Sequence, residues 1–215
     1  MRLRRVKGVE DKIKEYSHII IEKPCELKGK WKEKFGNGNP IHLEIGMGKG
    51  KFLREKALRE PNVNFIGCEL SDSIIYKAAK TADNEYEKYP NLLMINYDAL
   101  KLSDVFEEGE IGKIYLNFSD PWPKSRHEKR RLTSSPFLKV YEMIIEKDGI
   151  LEFKTDNRGL FEYSIISLHK EGYEFLELSL DLHNSNYEDI VTTEYEDRFS
   201  GMGNVIYFIK IKLSR

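Results

Sequence analysis

Ile41-His42-Leu43-Glu44-Ile45-Gly46-Met47-Gly48-Lys49-Gly50 is a short apolar run that breaks into alternating glycines, and Lys51 to Glu60 then continues with helix-forming residues as far as Pro61. A strand that turns through glycines into a helix opens a βαβ unit, because glycine lets the backbone turn tightly and approach a bound ligand closely. The pattern repeats along the chain. Val63 to Leu70 reads as a second strand, and Ser71 as the N-cap of a helix striped by Ile74, Ile75, Ala78, Ala79 and Ala82. Leu92 to Asn96 and Ile111 to Phe118 read as third and fourth strands, with a helical turn over Leu100 to Phe106 between them. Ser135 and Pro136 open a helix that buries Phe137, Val140, Tyr141, Ile144 and Ile145 and ends at Gly149; Ile150 to Thr155 is a fifth strand. A helix over Arg158 to Lys170 precedes two late strands, Tyr173 to Leu182 and Asn204 to Leu213.

Two strands in succession without a crossover helix must usually be antiparallel. The expected fold is therefore α/β and Rossmann-like: a seven-stranded, mostly parallel sheet with one antiparallel strand near an edge and helices on both faces. Residues 1–215 are expected to form a single domain, with 1–38 a basic N-terminal arm and helical extension.

Hydrophobic residues make up 40% of the chain and charged residues 33%, which is enough for a core beneath a heavily charged surface. No apolar run approaches the roughly 20 residues of a membrane helix, and Met1 leads into Arg and Lys rather than an apolar signal core. A cytoplasmic protein without a membrane partner is expected. Cys25 and Cys68 are the only cysteines, and the five histidines show no metal-ligand spacing, so no disulfide and no metal are predicted.

Gly46, Gly48 and Gly50 alone could mark a plain strand-to-helix turn. Glu69 ends the second strand, where an acid accepts hydrogen bonds from ribose hydroxyls in such folds. The third glycine comes one residue too early for the dinucleotide fingerprint. Glu44 at the mouth of the loop would repel a pyrophosphate, whereas S-adenosylmethionine has no phosphate and carries a sulfonium and an ammonium. The sign of the loop predicts S-adenosylmethionine. Asp98, after the third strand, is a candidate acceptor for the adenine amino group, with Asn96 as its competitor.

Beyond the fourth strand, where ligands gather in open α/β sheets, stands Asn117-Phe118-Ser119-Asp120-Pro121-Trp122-Pro123-Lys124. Two prolines restrict the backbone around Trp122, which holds Asp120 and the indole for a flat aromatic substrate. Ser125-Arg126-His127-Glu128-Lys129-Arg130-Arg131 follows, and Arg2, Arg4, Arg5 and Lys7 form a second basic run. The formal net charge is −1, so two cationic patches on a nearly neutral chain point to a nucleic acid gripped near the reacting base.

These residues resemble the bacterial tRNA (guanine-N7-)-methyltransferases of the TrmB type. The resemblance covers Ile41 to Gly203 and rests on Glu44 to Gly50, Leu116 to Lys124, Arg126 to Arg131, Phe153-Lys154-Thr155-Asp156-Asn157-Arg158 and Thr192-Thr193-Glu194-Tyr195-Glu196. It implies a class I methyltransferase that uses S-adenosylmethionine and modifies N7 of a guanosine in the tRNA variable loop. It further implies that Glu44, Glu69, Asp98 and Asp120 contact the cofactor and that Asp120 is catalytic. Lys124, Asp156, Thr193, Glu194, Tyr195 and Glu196 would contact the substrate. Arg126, His127, Glu128, Lys129, Arg130 and Arg131 would contact RNA. A monomer or homodimer is expected. Two alternatives stay open. The Asn-Phe-Ser-Asp-Pro-Trp stretch is similar to the loops of enzymes that methylate exocyclic amines, although it lacks their second adjacent proline. A non-catalytic RNA-binding module could also keep the fold, against which stand the intact Glu44, Gly48, Glu69 and Asp120.

Overall fold

A computed structural model describes residues 6–188 and 190–213. Arg2, Arg4 and Arg5 of the basic arm lie outside the described residues. The elements, in chain order, are α1 (Val9–Lys14), β1 (Ile20–Ile21), α2 (Trp31–Phe35), β2 (Ile41–Ile45), α3 (Lys51–Arg59), β3 (Asn64–Cys68), α4 (Asp72–Asp83), β4 (Leu92–Ile95), β5 (Ile111–Asn117), α5 (Ser135–Ile144), β6 (Ile145–Thr155), α6 (Arg158–Glu171), β7 (Glu174–Ser179), α7 (Glu194–Ser200) and β8 (Tyr207–Lys212). Eight strands form one sheet in the order β1-β4-β3-β2-β5-β6-β8-β7. The expected seven strands are present, and β8 is the reversed one, antiparallel to both β6 and β7.

Three details differ from the sequence reading. The eighth strand is β1, two residues paired in parallel with Met94 and Ile95 of β4 inside a segment expected to be only helical. α7 lies between β7 and β8, where a connection without a helix is expected, yet β8 still runs antiparallel near the edge, between β6 and β7. The helix expected to run to Gly149 stops at Ile144, because Ile145 is already extended and paired with Ile111. Asp148, with φ of 66°, then turns the chain into the main part of β6.

Successive residues of the central strands face opposite sides, so each side of the sheet has its own core. Leu43, Ile66, Ile114, Phe153 and Ile209 pack beneath α5 and α6, together with Trp31 of α2. Phe65, Met94 and Tyr115 pack with Phe52 and Leu53 of α3 and Ile75, Ala78 and Ala79 of α4. Asn157 caps α6 by accepting from the Leu160 amide at 2.8 Å, and Gly172 ends that helix in the left-handed region. β2 lies between β3 and β5, with Glu44 in register with Gly67 on one side and Tyr115 on the other. The glycine turn therefore leaves from the middle of the sheet. Among the described residues, no helix is long and apolar enough to cross a membrane.

Candidate active site

A cleft opens at the carboxyl ends of β2 and β5, between the glycine turn and the first turn of α7. Gly46 and Gly48 have φ of +75° and +58°, a region costly for any side chain, and a Cβ on either would point into open space on the cleft side. Glu44 forms the floor. It is 1% exposed, and its Oε1 accepts a hydrogen bond from Asn117 Nδ2 at 2.8 Å. Its Oε2 is buried with no partner. Burial raises its pKa to about 8; Glu69 adds to the rise, while Asn117 and the Lys154 ammonium oppose it. A buried carboxylate that lacks a cation is costly in an isolated protein, and it fits a ligand that brings a positive group.

Glu69, at the end of β3, is half-buried and binds the glycine turn. Its Oε2 accepts from the Gly48 amide at 3.2 Å, and its Oε1 from the Ser71 amide at 3.0 Å. Its pKa is raised, first by burial, and the Asp120 carboxylate adds to the rise. The adenine candidates separate here. Asn96 uses its amide nitrogen on the Glu69 carbonyl at 2.8 Å, tying β4 to β3. Asp98 caps the 3-10 turn Ala99–Asp104 through one oxygen, which accepts from the Leu100 amide at 3.0 Å. Of the four acids, Glu44 lines the cleft itself and Glu69 holds its glycine turn, while Asp98 caps the turn after β4 and Asp120 stands on the loop after β5.

Asp120 is exposed on the loop after β5. Phe118 and Trp122 on either side of it both have positive φ, 51° and 42°, a strained conformation for aromatic residues that the surrounding loop must hold in place. Arg131 supplies part of that hold: its guanidinium donates to the Trp122 carbonyl at 3.0 and 3.3 Å and lies 4.2 Å from the Tyr163 ring. The basic stretch forms a 3-10 helix over Ser125–Arg130, and its residues divide into two groups. Lys124, Arg126 and Lys129 are exposed. Arg130 lies over the Trp122 ring at 4.8 Å and His127 meets that ring edge-on at 5.5 Å. Glu128 accepts from the Tyr163 hydroxyl at 3.1 Å, so Glu128 and Arg131 serve the loop's own structure.

The Thr193–Glu196 segment closes the opposite side. Thr193 caps α7 in a reciprocal box with Glu196, whose amide donates to Thr193 Oγ1 at 2.9 Å. Tyr195 stacks on Phe199, centroids 4.2 Å apart, lies 5.1 Å from Phe118, and donates its hydroxyl to Asp156 at 3.1 Å. Asp156 also accepts from Asn204 Nδ2 at 3.3 Å. Glu194 meets Lys49 of the glycine turn at 2.9 Å, and Asp197 pairs with Lys51. Glu196 is not on the cleft surface: it is fully buried and ion-paired to Lys154 at 2.6 Å. Sequence reasoning gave no role to Asn117, Lys49, Lys51 or Lys154. A lysine inside the apolar stretch Ile150 to Thr155 was the available signal.

The family described as "Putative methyltransferase" matches residues 38–209. The tRNA (guanine-N(7)-)-methyltransferase of Bacillus licheniformis is 50% identical over 210 residues, covering 98% of each chain. That of Geobacillus sp. (strain WCH70) is 51% identical over 213 residues, 99% of this chain and 96% of the relative. Among solved structures, the 16S rRNA methyltransferase KamB superposes with a TM-score of 0.65 at 16% identity, over 87% of this chain and 94% of the other, a likeness of fold. With a family model matched over residues 38–209 and relatives at half identity over nearly the full length, the chain belongs to the tRNA (guanine-N7-)-methyltransferase family.

Proposed function

We propose that this chain transfers the methyl group of S-adenosylmethionine to N7 of a guanosine in the tRNA variable loop. The observation that carries the cofactor half is the orphaned Oε2 of Glu44, a buried carboxyl oxygen at the bottom of the cleft that burial keeps protonated near neutral pH and that a positive ligand group would ionise. Glu44 would hold the cationic amino acid end of the cofactor, Glu69 its ribose and Asp98 its adenine, with the glycine turn lying against it. When bound, the cofactor supplies an electrophilic methyl on a positively charged sulfur.

Guanine N7 presents an in-plane lone pair and carries no proton, so the site needs alignment and charge stabilisation rather than a general base. Asp120 fits that demand. On a loop pinned by Arg131, it would stand at the cleft mouth, its carboxylate accepting from the N1 and N2 protons of guanine and stabilising the charge that the purine gains. Lys124 would donate to O6 or a phosphate. Asp156, Thr193, Glu194 and Tyr195 would form the wall against which the base lies once it has left the tRNA tertiary fold. Arg126 and Lys129, and Arg130 from its place over the Trp122 ring, would grip phosphates. We further infer one catalytic domain over 1–215, with 1–38 an extension upon it, acting in the cytoplasm as a monomer or homodimer.

Radiolabelled methyl transfer to tRNA, compared with tRNA carrying 7-deazaguanosine in the variable loop, tests this reading. Transfer to the first and none to the second is expected. Equal transfer to both would remove N7 as the acceptor.

A further inference from the structure

Lys154 stands at the carboxyl end of β6, is 6% exposed, and has no part in the reading above. Its Nζ donates to Glu196 Oε2 at 2.6 Å and to the Val191 carbonyl at 2.8 Å. The same ammonium lies 5.3 Å from the Phe52 ring and 6.0 Å from that of Phe118, while the Lys154 carbonyl accepts from the Phe118 amide at 2.9 Å. One residue thus touches both walls of the cleft, the strained loop after β5 and the segment leading into α7.

The contacts of Glu196 show what this anchor holds. The Oε2 that Lys154 engages also accepts from the Thr193 amide at 3.3 Å, closing the capping box. Oε1 is buried and makes no hydrogen bond, with His183 Nε2 the basic group facing it at 3.1 Å. α7 has only 7 residues, too few to persist without tertiary support. A carboxylate enclosed this completely cannot reach a base in the cleft; its neighbours Thr193 and Tyr195 can.

We propose that Lys154 is a positioning residue: by fixing Glu196 from below it sets the first turn of α7, and with it the Thr193 and Tyr195 wall against which the guanosine is aligned. Glu196 acts through that wall and does not touch substrate. The inference rests on reading the wall as the guanosine pocket.

The test compares wild type, Lys154→Met and the double variant Lys154→Met/Glu196→Leu on tRNA at saturating S-adenosylmethionine, at a temperature where each is fully folded. In Lys154→Met, kcat falls about 10- to 100-fold, as misplacement of an aligned base should cause. The tRNA Kd stays within about threefold, since phosphate contacts dominate it. The double variant regains thermal stability, because removing both charges leaves no buried anion at Glu196. Its kcat stays low, because the Val191 carbonyl still lacks its donor and the Thr193 amide now lacks its acceptor. If Lys154→Met does not fold, the double variant alone decides. Wild-type kcat in Lys154→Met, or recovery of kcat together with Tm in the double variant, would overturn the positioning role. A wild type that methylates tRNA at another atom would overturn the pocket reading itself, and it is distinguishable because the parent departs, not the variants.

Discussion

Glu44, at the end of β2, and Glu196, in the first turn of α7, are 1% and 0% exposed and approach the same cleft from opposite sides. Lys154 is close enough to lower the pKa of Glu44, yet its ammonium is bonded to Glu196. Glu44 keeps one neutral partner, Asn117, and one oxygen with none. Glu196 is paired from within, whereas Glu44 has no cation bonded to it, stays protonated near neutral pH, and would ionise when a positive ligand group arrives. An unpaired buried acid therefore carries more functional information here than a paired one.

The largest effect expected from breaking this contrast is on Lys154. Removing the cation from an enclosed pair costs about 3–5 kcal/mol, so Lys154→Met should lower stability strongly in denaturant unfolding. The same chemical change at the acids should act in opposite directions. Glu196→Gln should destabilise. Glu44→Gln should leave the free protein equally or more stable at pH 8 while weakening cofactor binding by about 3 kcal/mol, roughly 100-fold, read by calorimetry.

The difference between wild type and Glu44→Gln should also depend on pH. Because the folded pKa of Glu44 is about 8 against an ordinary 4.5, the folded protein holds a proton there that the unfolded chain has lost. The stability linked to that proton is fully present below 4.5 and is lost as pH rises through 8. Melting curves should thus show wild type losing ground to Glu44→Gln across this window, by at most about 1.4 kcal/mol per pH unit.

The smallest expected effects separate two neighbouring arginines. Arg131→Ala should lower Tm by loosening the Trp122 turn, an effect of about 1 kcal/mol for its hydrogen bonds and ring contact. Arg130→Ala should leave Tm almost unchanged and reduce the salt dependence of tRNA binding by about one unit of slope.

The parallel strands are legible because Ile41 to Ile45, Val63 to Leu70 and Ile111 to Phe118 are apolar runs bounded by turn residues, and each contains a strand. β1 was not legible, since two residues carry no periodicity and Ile20 and Ile21 become a strand only by adding to the edge at β4. α5 ends earlier than its sequence implies: Ile144 and Ile145 continue the apolar stripe, but pairing of Ile145 with Ile111 overrides it. At the site, Glu44 could be interpreted from its sign and its place before the glycines. Glu196 could not, because its role depends on Lys154, distant in sequence and brought beneath it by the β6–β8 side of the sheet. In the same way, nothing in the run Arg126 to Arg131 distinguishes an arginine bound to the Trp122 carbonyl from one facing solvent.

The central claim is that Glu44 is reserved for the cofactor's positive charge, and proton release measures it most directly. S-adenosylhomocysteine, which carries the same ammonium, would be titrated calorimetrically at pH 7 in two buffers of different ionisation heat. Release of on the order of one proton by wild type, abolished in Glu44→Gln, is the predicted result. No proton exchange in wild type, or the same release in Glu44→Gln, would contradict it.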